Sequence, residues 1–423
     1  MSGAIGRGAL LLLAVLIAVL AIASAGSGGD DRPVRAELTG RAILPADTFL
    51  DGPPVGAGLD GPVNGRTPPF PSPPVQGFSS LVHLGGDRWL ALQDNGFGAA
   101  ANSFDYPLQL YRLRLDLDAG EVGEIAATPL TDPDGRLGFP LTNPDDHGRL
   151  GGADLDPESL VRLDDGTCWI GEEFGPFLVP FDARGRVLAA PVPVPVPPEL
   201  RPYARGLAHY RSPDHPALRA LPESERLAAA NLARSGGLEG LARTPDGRRL
   251  YAVVEKPLLD DPVRGRRVIL EFDPATGAFT GRHWMYRPDR PDALITSLEA
   301  WSESVLLVIE RDHHEGAEAR LKRVYRVELN EVDADGFLAK TLVADLLDLA
   351  DPRGLSTPEP DAIGLGPRFA FPYVTPESLA ILDARTLVLV NDNNYPFSTG
   401  RRPGEPDASE FIRLRLPRPL PSP

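Results

Sequence analysis

Beyond its first few dozen residues the chain is written in short apolar or alternating runs, separated by Asp-Gly, Gly-Gly and Pro turns. This pattern predicts β-strands joined by tight turns. Helical periodicity is sparse. One helix is predicted over Glu223–Arg234, behind Pro222, and a shorter one over Thr341–Leu349. Five segments repeat one unit, beginning at Phe78, Pro157, Leu238, Leu298 and Pro376. Each reads as a strand, a turn (Gly85-Gly86, Asp165-Gly166, Asp246-Gly247 and Asp383-Ala384 in four of them) and a second strand. Four continue into a further strand: LYRLRLD at Leu110, FLVPFDARG at Phe177, VILEFDPATG at Val268 and VYRVELN at Val324. One such sheet cannot bury both of its faces, so the copies must stack side by side in a ring. The expected fold is all-β, a β-propeller with a few short helices in its loops, formed by residues 26–423 as a single domain. The copies are spaced by about 80, 80, 60 and 80 residues, against roughly 40–50 for a compact blade. Either the loops are long or further blades lie between the copies. Six blades are favoured, with five or seven open, and a pair of β-sandwiches is the weaker alternative. Pro-rich stretches at Gly52–Pro74, Pro191–Pro198 and Pro417–Pro423 read as extended connectors.

Charge narrows the partners. The chain carries 43 Lys+Arg against 59 Asp+Glu, a net −16, which argues against nucleic acid and anionic membranes, since both need a basic footprint. It suits a protein that collects hard cations. Cys168 is the only cysteine, which excludes disulfides within the chain and zinc sites built on several thiolates. In TCWIG it is expected to be buried and inert. Residues 1–25 read as a secretory signal: Arg7, an apolar run from Ala9 to Ala23, and a small-residue cleavage site at Ala23-Ser24-Ala25. An uncleaved anchor is the alternative. The mature protein is expected to be secreted, free of the membrane after signal cleavage, monomeric, and bathed in millimolar calcium.

The repeat carries a chemical regularity. Glu158, Glu239, Glu299 and Glu377 align at the start of the first strand, where the first copy has Ser79. The second strand ends in acid as well: Asp94, Glu172 with Glu173, Glu255, Glu310 and Asp392. In an antiparallel hairpin these two places lie side by side. If the first strand lines a central channel, carboxylates of successive blades converge at one mouth. Gathered carboxylates repel and raise one another's pKa, and Ca²⁺ relieves this by taking 6–8 oxygen ligands. The metal-ligand candidates are Glu158, Glu172, Glu239, Glu299, Glu377, Asp94 and Asp392, with Asn95, Asn391, Asn393 and Asn394 as neutral oxygen donors. The plain alternative is a set of solvated strand ends paired with arginine. Lys256 and Arg311, each following an acid, are candidates for holding an anion, and Arg243 lies near Glu239. Glu255 or Glu310 would position or deprotonate a water. His83 reads as a packed or surface residue, and His313-His314 carries only an unspecific metal signal. No GxSxG, P-loop or HExxH motif is present.

The ordered set RWLALQDNG, DPESLVRLDDGTCWIGEEFGPFLVPFDARGRV, GGLEGLARTPDGRRLYAVVEKPL, LLVIERD and PESLAILDARTLVLVNDNNYPF resembles the secreted "esterase-like activity of phytase" family, from about Arg41 to Leu414. Gly77-Phe78-Ser79-Ser80 departs from the family's first-blade pattern. The resemblance implies a β-propeller and a hydrolytic activity on esters or phosphoesters. The expected function is therefore a secreted, calcium-dependent hydrolase of phosphate or carboxylate esters with a small-molecule substrate. Two readings stay beside it: a non-catalytic, calcium-stabilised binding module, and a lactonase-type hydrolase.

Overall fold

The computed structural model describes residues 35–144 and 146–422, so the signal read at 1–25 lies outside the described residues. Five sheets succeed one another around a ring. The first blade holds β2 (Phe78–Gly85), β3 (Arg88–Gln93), β4 (Gln109–Asp116) and β5 (Glu121–Pro129). The second holds β6 (Pro157–Arg162), β7 (Cys168–Glu172), β8 (Phe177–Phe181) and β9 (Val192–Pro193). The third holds β10 (Leu238–Arg243), β11 (Leu250–Val254), β12 (Arg267–Asp273) and β13 (Ala278–Tyr286). The fourth holds β14 (Leu294–Ala300), β15 (Val305–Arg311), β16 (Lys322–Val332) and β17 (Leu338–Asp345).

The fifth blade closes the ring. Its inner strands β20 (Thr375–Asp383), β21 (Thr386–Asp392) and β22 (Ser409–Arg415) come from the C-terminal part, and its next strand is β1 (Glu37–Leu44). β1 pairs antiparallel with β22 from Glu37↔Arg415 to Leu44↔Ser409, and short strands β18 (Leu349–Ala350) and β19 (Arg368–Phe369) extend the same sheet. The blade count is five, the lower bound allowed by the repeat, and not the favoured six. The long spacing comes from outer strands and inter-blade loops, with no hidden blade among the described residues.

The innermost strands β2, β6, β10, β14 and β20 contact one another in a closed cycle and line the channel. Each gap between blades is filled by its own apolar cluster, and each cluster contains a leucine at one equivalent place of an innermost strand: Leu81, Leu160, Leu241, Leu298 and Leu379. These five share one register, each following a small residue: Ser80, Ser159, Gly240, Ser297 and Ser378. Every one is at most 4% exposed, and burial of a leucine contributes about 1.5–3 kcal/mol.

Two helix expectations change. The helix α1 spans Glu223–Ala229 only. It stops because Ala230 turns extended and the N–H groups of Asn231 and Leu232 bond to the Arg211 carbonyl. The run over Thr341–Leu349 is instead mostly strand β17, paired with β16 through Tyr325↔Leu342 and Arg323↔Asp345. The open backbone edge of β16 decides its conformation where local propensity favours a helix. Cys168 is 1% exposed, as expected.

Candidate functional site

The hairpin ladders explain how side chains reach the channel mouth. In every blade the register of the innermost strand slips by one residue near its start: between Phe78 and Ser80, Pro157 and Ser159, Leu238 and Gly240, Ile295 and Ser297, and Pro376 and Ser378. The extra residue of each β-bulge is Ser79, Glu158, Glu239, Thr296 and Glu377 respectively. A bulge re-aims the side chain it carries, and here it does so five times at one level of the channel. Beside it stands the residue that ends or follows the second strand: Asp94, Glu173, Glu255, Arg311 and Asp392.

This register corrects three placements. Glu299 is not the fourth blade's counterpart of Glu239, because Thr296 occupies the bulge. Glu299 lies three residues further along β14, past Leu298. It lines a channel cavity of about 360 Å³ that also touches His83, Arg162 and Arg243, and burial alone pushes it up to about 8. Glu172 pairs with Pro157, one residue before the mouth position. Its carboxylate accepts the N–H groups of Phe174 at 3.0 Å and Gly175 at 2.7 Å, so it closes a turn, and burial pushes it up to about 8. Glu310 likewise pairs with Ile295. It is fully buried between Tyr286 and Lys340 and accepts the Asp289 N–H at 2.9 Å. Adjacent residues of a strand point to opposite faces, and Glu172 and Glu310 took the wrong one for the mouth.

The remaining predicted acids, Asp94, Glu158, Glu239, Glu255, Glu377 and Asp392, meet there with Glu173 and Asp156. Asp156 was not singled out from the sequence. It sits one residue before β6, in ADLDPESL, where blades one and three carry Gly77 and Gly237. Its backbone carbonyl accepts the Glu173 N–H at 2.9 Å, as Gly77 accepts Asp94 and Gly237 accepts Glu255. The two glycines make room for acids. A Cβ on Gly237 would lie 2.7 Å from the Glu173 carbonyl oxygen, and one on Gly77, at φ 65°, would lie 2.2 Å from Asp94 Oδ1.

Among the described residues, eight carboxylates thus share one site with a single guanidinium. Arg311 Nη2 is 3.8 Å from Glu255 Oε1, and its charge also acts on Glu239, Glu377 and Asp392. Burial pushes Asp94 up to about 6, and burial with the Glu255 charge pushes Glu173 up to about 7. Asp156, Glu158, Glu239, Glu377 and Asp392 are all raised well above the carboxylate range, by burial first and by neighbouring carboxylates of the site second. Two triads have oxygens within 4.8 Å of one another: Asp156, Glu158 and Glu173, and Glu173, Glu239 and Glu255. Glu255 Oε2 and Glu377 Oε2 are buried with no hydrogen-bond partner. Such a set of hard oxygen donors, crowded and partly unsatisfied, suits a divalent cation.

Glu158 is only half-buried, so the site opens to solvent. To one side stands an aromatic cluster of Phe70, Phe97, Tyr106 and Tyr395. It anchors the Pro-rich 52–74 stretch to the loops that follow Asp94 and Asp392. Lys256 stands at the rim, its Nζ bonded to the Arg234 carbonyl at 3.2 Å and to that of Ser235, and 3.4 Å from Glu255 Oε2. The other candidates lie apart from the acids. Arg243 pairs with Asp164 at 2.7 Å, and His83 bonds the Gly86 carbonyl at 2.9 Å.

Solved structures resemble this chain loosely. A luciferin-regenerating enzyme is 11% identical, with 79% of this chain and 76% of that chain covered at a TM-score of 0.34. The PQQ-bound aldose sugar dehydrogenase of Streptomyces coelicolor is 12% identical, covering 91% and 99%, also at 0.34. A protein of Arthroderma benhamiae described as an uncharacterized secreted protein is 29% identical over 128 residues, 28% of this chain and 24% of that one. The match therefore spans about a quarter of that relative's length. Residues 73–395 match the phytase-like family described as esterase-like activity of phytase. With most of its length matched, and with the ring of blades described above, the chain belongs to this phytase-like family.

Proposed function

We propose that the chain is a secreted, calcium-dependent hydrolase of phosphate or carboxylate esters, acting as a monomer on a small-molecule substrate at the acidic mouth of its propeller. The observation that carries this reading is the meeting of unpartnered carboxylate oxygens with Arg311 in a site open to solvent at Glu158. Membership of the phytase-like family supports the reaction class, and the secreted relative supports export. Among the described residues no helix is long and apolar enough to cross a membrane.

Asp156, Glu158, Glu173, Glu239 and Glu255 would hold the calcium. When bound, a hard cation polarises a phosphoryl or carbonyl oxygen and offsets charge developing on it. Arg311, through its planar fork of donors, binds an anionic oxygen of the substrate. Lys256 adds a second positive charge at the rim. Glu255, beside Arg311 and Lys256 at the mouth, orients the attacking water.

The test is turnover by the purified protein on para-nitrophenyl phosphate, para-nitrophenyl acetate, phytate and a γ-lactone, in calcium and in EDTA. Calcium-dependent turnover of at least one is expected, and Arg311→Gln should lower it at least tenfold. A calcium-binding protein that turns over none of them would be a non-catalytic binding module, and the hydrolase reading would fail. Turnover of the lactone alone would assign a lactonase-type enzyme.

A further inference from the structure

The acids are unevenly distributed around the mouth, and their distribution speaks to how many cations they take. Blades two and three supply five of the eight carboxylates: Asp156, Glu158, Glu173, Glu239 and Glu255. Among these, Asp156 and Glu158 face each other, as do Glu173 and Glu239. The two triads of ligating oxygens share one member, Glu173. A carboxylate has two oxygens and can offer one to each side. Glu173 Oε1 already accepts the Gly237 N–H at 3.1 Å, which fixes the carboxylate between the two triads.

We propose that this mouth holds two divalent cations, bridged by the carboxylate of Glu173, one bound with Asp156 and Glu158 and the other with Glu239 and Glu255. The proposal rests on the reading that the ring takes calcium, and it specifies the number and the bridging residue.

Two further observations support two cations over one. The first is the orphaned oxygen. Glu255 is 1% exposed, it belongs to the second triad, and its Oε2 has no hydrogen-bond partner. Lys256 Nζ at 3.4 Å and Arg311 Nη2 at 3.8 Å from the two oxygens do not satisfy it. A single cation among Asp156, Glu158 and Glu173 would leave this buried oxygen unmet, which costs on the order of the full desolvation of a charged acceptor. The second is charge. Five carboxylates with Lys256 and Arg311 beside them leave three negative charges, more than one divalent cation offsets. In blades one and five the two aspartates have donors of their own. There Asp94 accepts the Gly96 N–H at 2.8 Å and the Gln76 amide at 3.1 Å, and Asp392 accepts the Asn394 N–H at 2.6 Å.

Titration calorimetry of the EDTA-stripped full chain with calcium chloride reads the number directly. Two calcium ions per chain are expected. Asp156→Asn and Glu255→Gln should each bind one, and Glu173→Gln should weaken both by at least tenfold. Melting in EDTA, which the isosteric variants should not lower, keeps loss of binding apart from loss of fold. One ion per chain in the parent protein, or variants at Asp156 and Glu255 that lose the same ion as shown by a double variant still binding one, would overturn the bridge. The outcome is separable from the hydrolase reading. Two ions without turnover would sink the function and leave the bridge standing, while one ion with calcium-dependent turnover would do the reverse.

Discussion

Blades three and four reach the channel in the same way and deliver opposite chemistry. Both begin with a bulge, both bury a leucine one register below it, and both end the second strand at the mouth. In blade three those places hold Glu239 and Glu255. In blade four they hold Thr296 and Arg311. The backbone therefore fixes where a mouth residue stands, while its charge is free to vary from blade to blade. That freedom lets a ring of equivalent positions become an acidic half facing a single guanidinium, and a cation with an anionic substrate needs both.

The comparison can be broken most forcefully one residue away from the mouth. Glu310 precedes Arg311 and is buried against Tyr286, Lys340 and the Asp289 N–H. Glu310→Gln should cost about 3 kcal/mol by uncoupling a buried ion pair, yet leave the calcium response of the melt unchanged. A lost calcium response in a folded variant would place Glu310 at the mouth after all.

A pH series sharpens the contrast. Asp94, Asp156, Glu158, Glu173, Glu239, Glu377 and Asp392 have folded pKa values above their unfolded ones, about 6 for Asp94 and about 7 for Glu173. The folded state therefore holds protons that the unfolded state has released. Stability present below about pH 4 should be lost as pH rises from about 4 through the folded values near 6 and 7, by up to about 1.4 kcal/mol per pH unit for each group titrating. In EDTA the melting temperature should fall from pH 5 to pH 8. In calcium, which needs the same carboxylates ionised, the fall should shrink. Parallel curves in the two buffers would contradict this.

The smallest effect belongs to Glu299. Standing past the leucine level, it should tolerate Glu299→Gln with a change below about 1 kcal/mol and an intact calcium response. A diminished response would return it to the cation site.

Much of this arrangement was legible in the sequence. Alternation and Gly-Gly or Asp-Gly turns marked the hairpins, and acid at the starts and ends of their strands marked the mouth. What escaped notice has physical causes. A bulge shifts the ladder by one residue without changing hydropathy, so Leu298-Glu299 looked like Leu238-Glu239 while the true match was Thr296-Ser297-Leu298. The same one-residue ambiguity favoured Glu172 over Glu173 and Glu310 over Arg311, because neighbouring strand residues face opposite ways. Asp156 precedes its strand, outside the repeat as drawn, although its place is that of Gly77 and Gly237. The count of five needed the N-terminal strand β1 to be seen in the last blade, a pairing between residues more than 360 apart in the chain.

The measurement that bears most directly on the central claim is thermal melting of the purified protein in calcium and in EDTA, alongside Glu239→Gln. At a calcium concentration a hundred times Kd, each site should add about 2.7 kcal/mol of stability, and Glu239→Gln should reduce the gain. Identical melts in calcium and EDTA would show that the acidic mouth is not a cation site and would contradict the account.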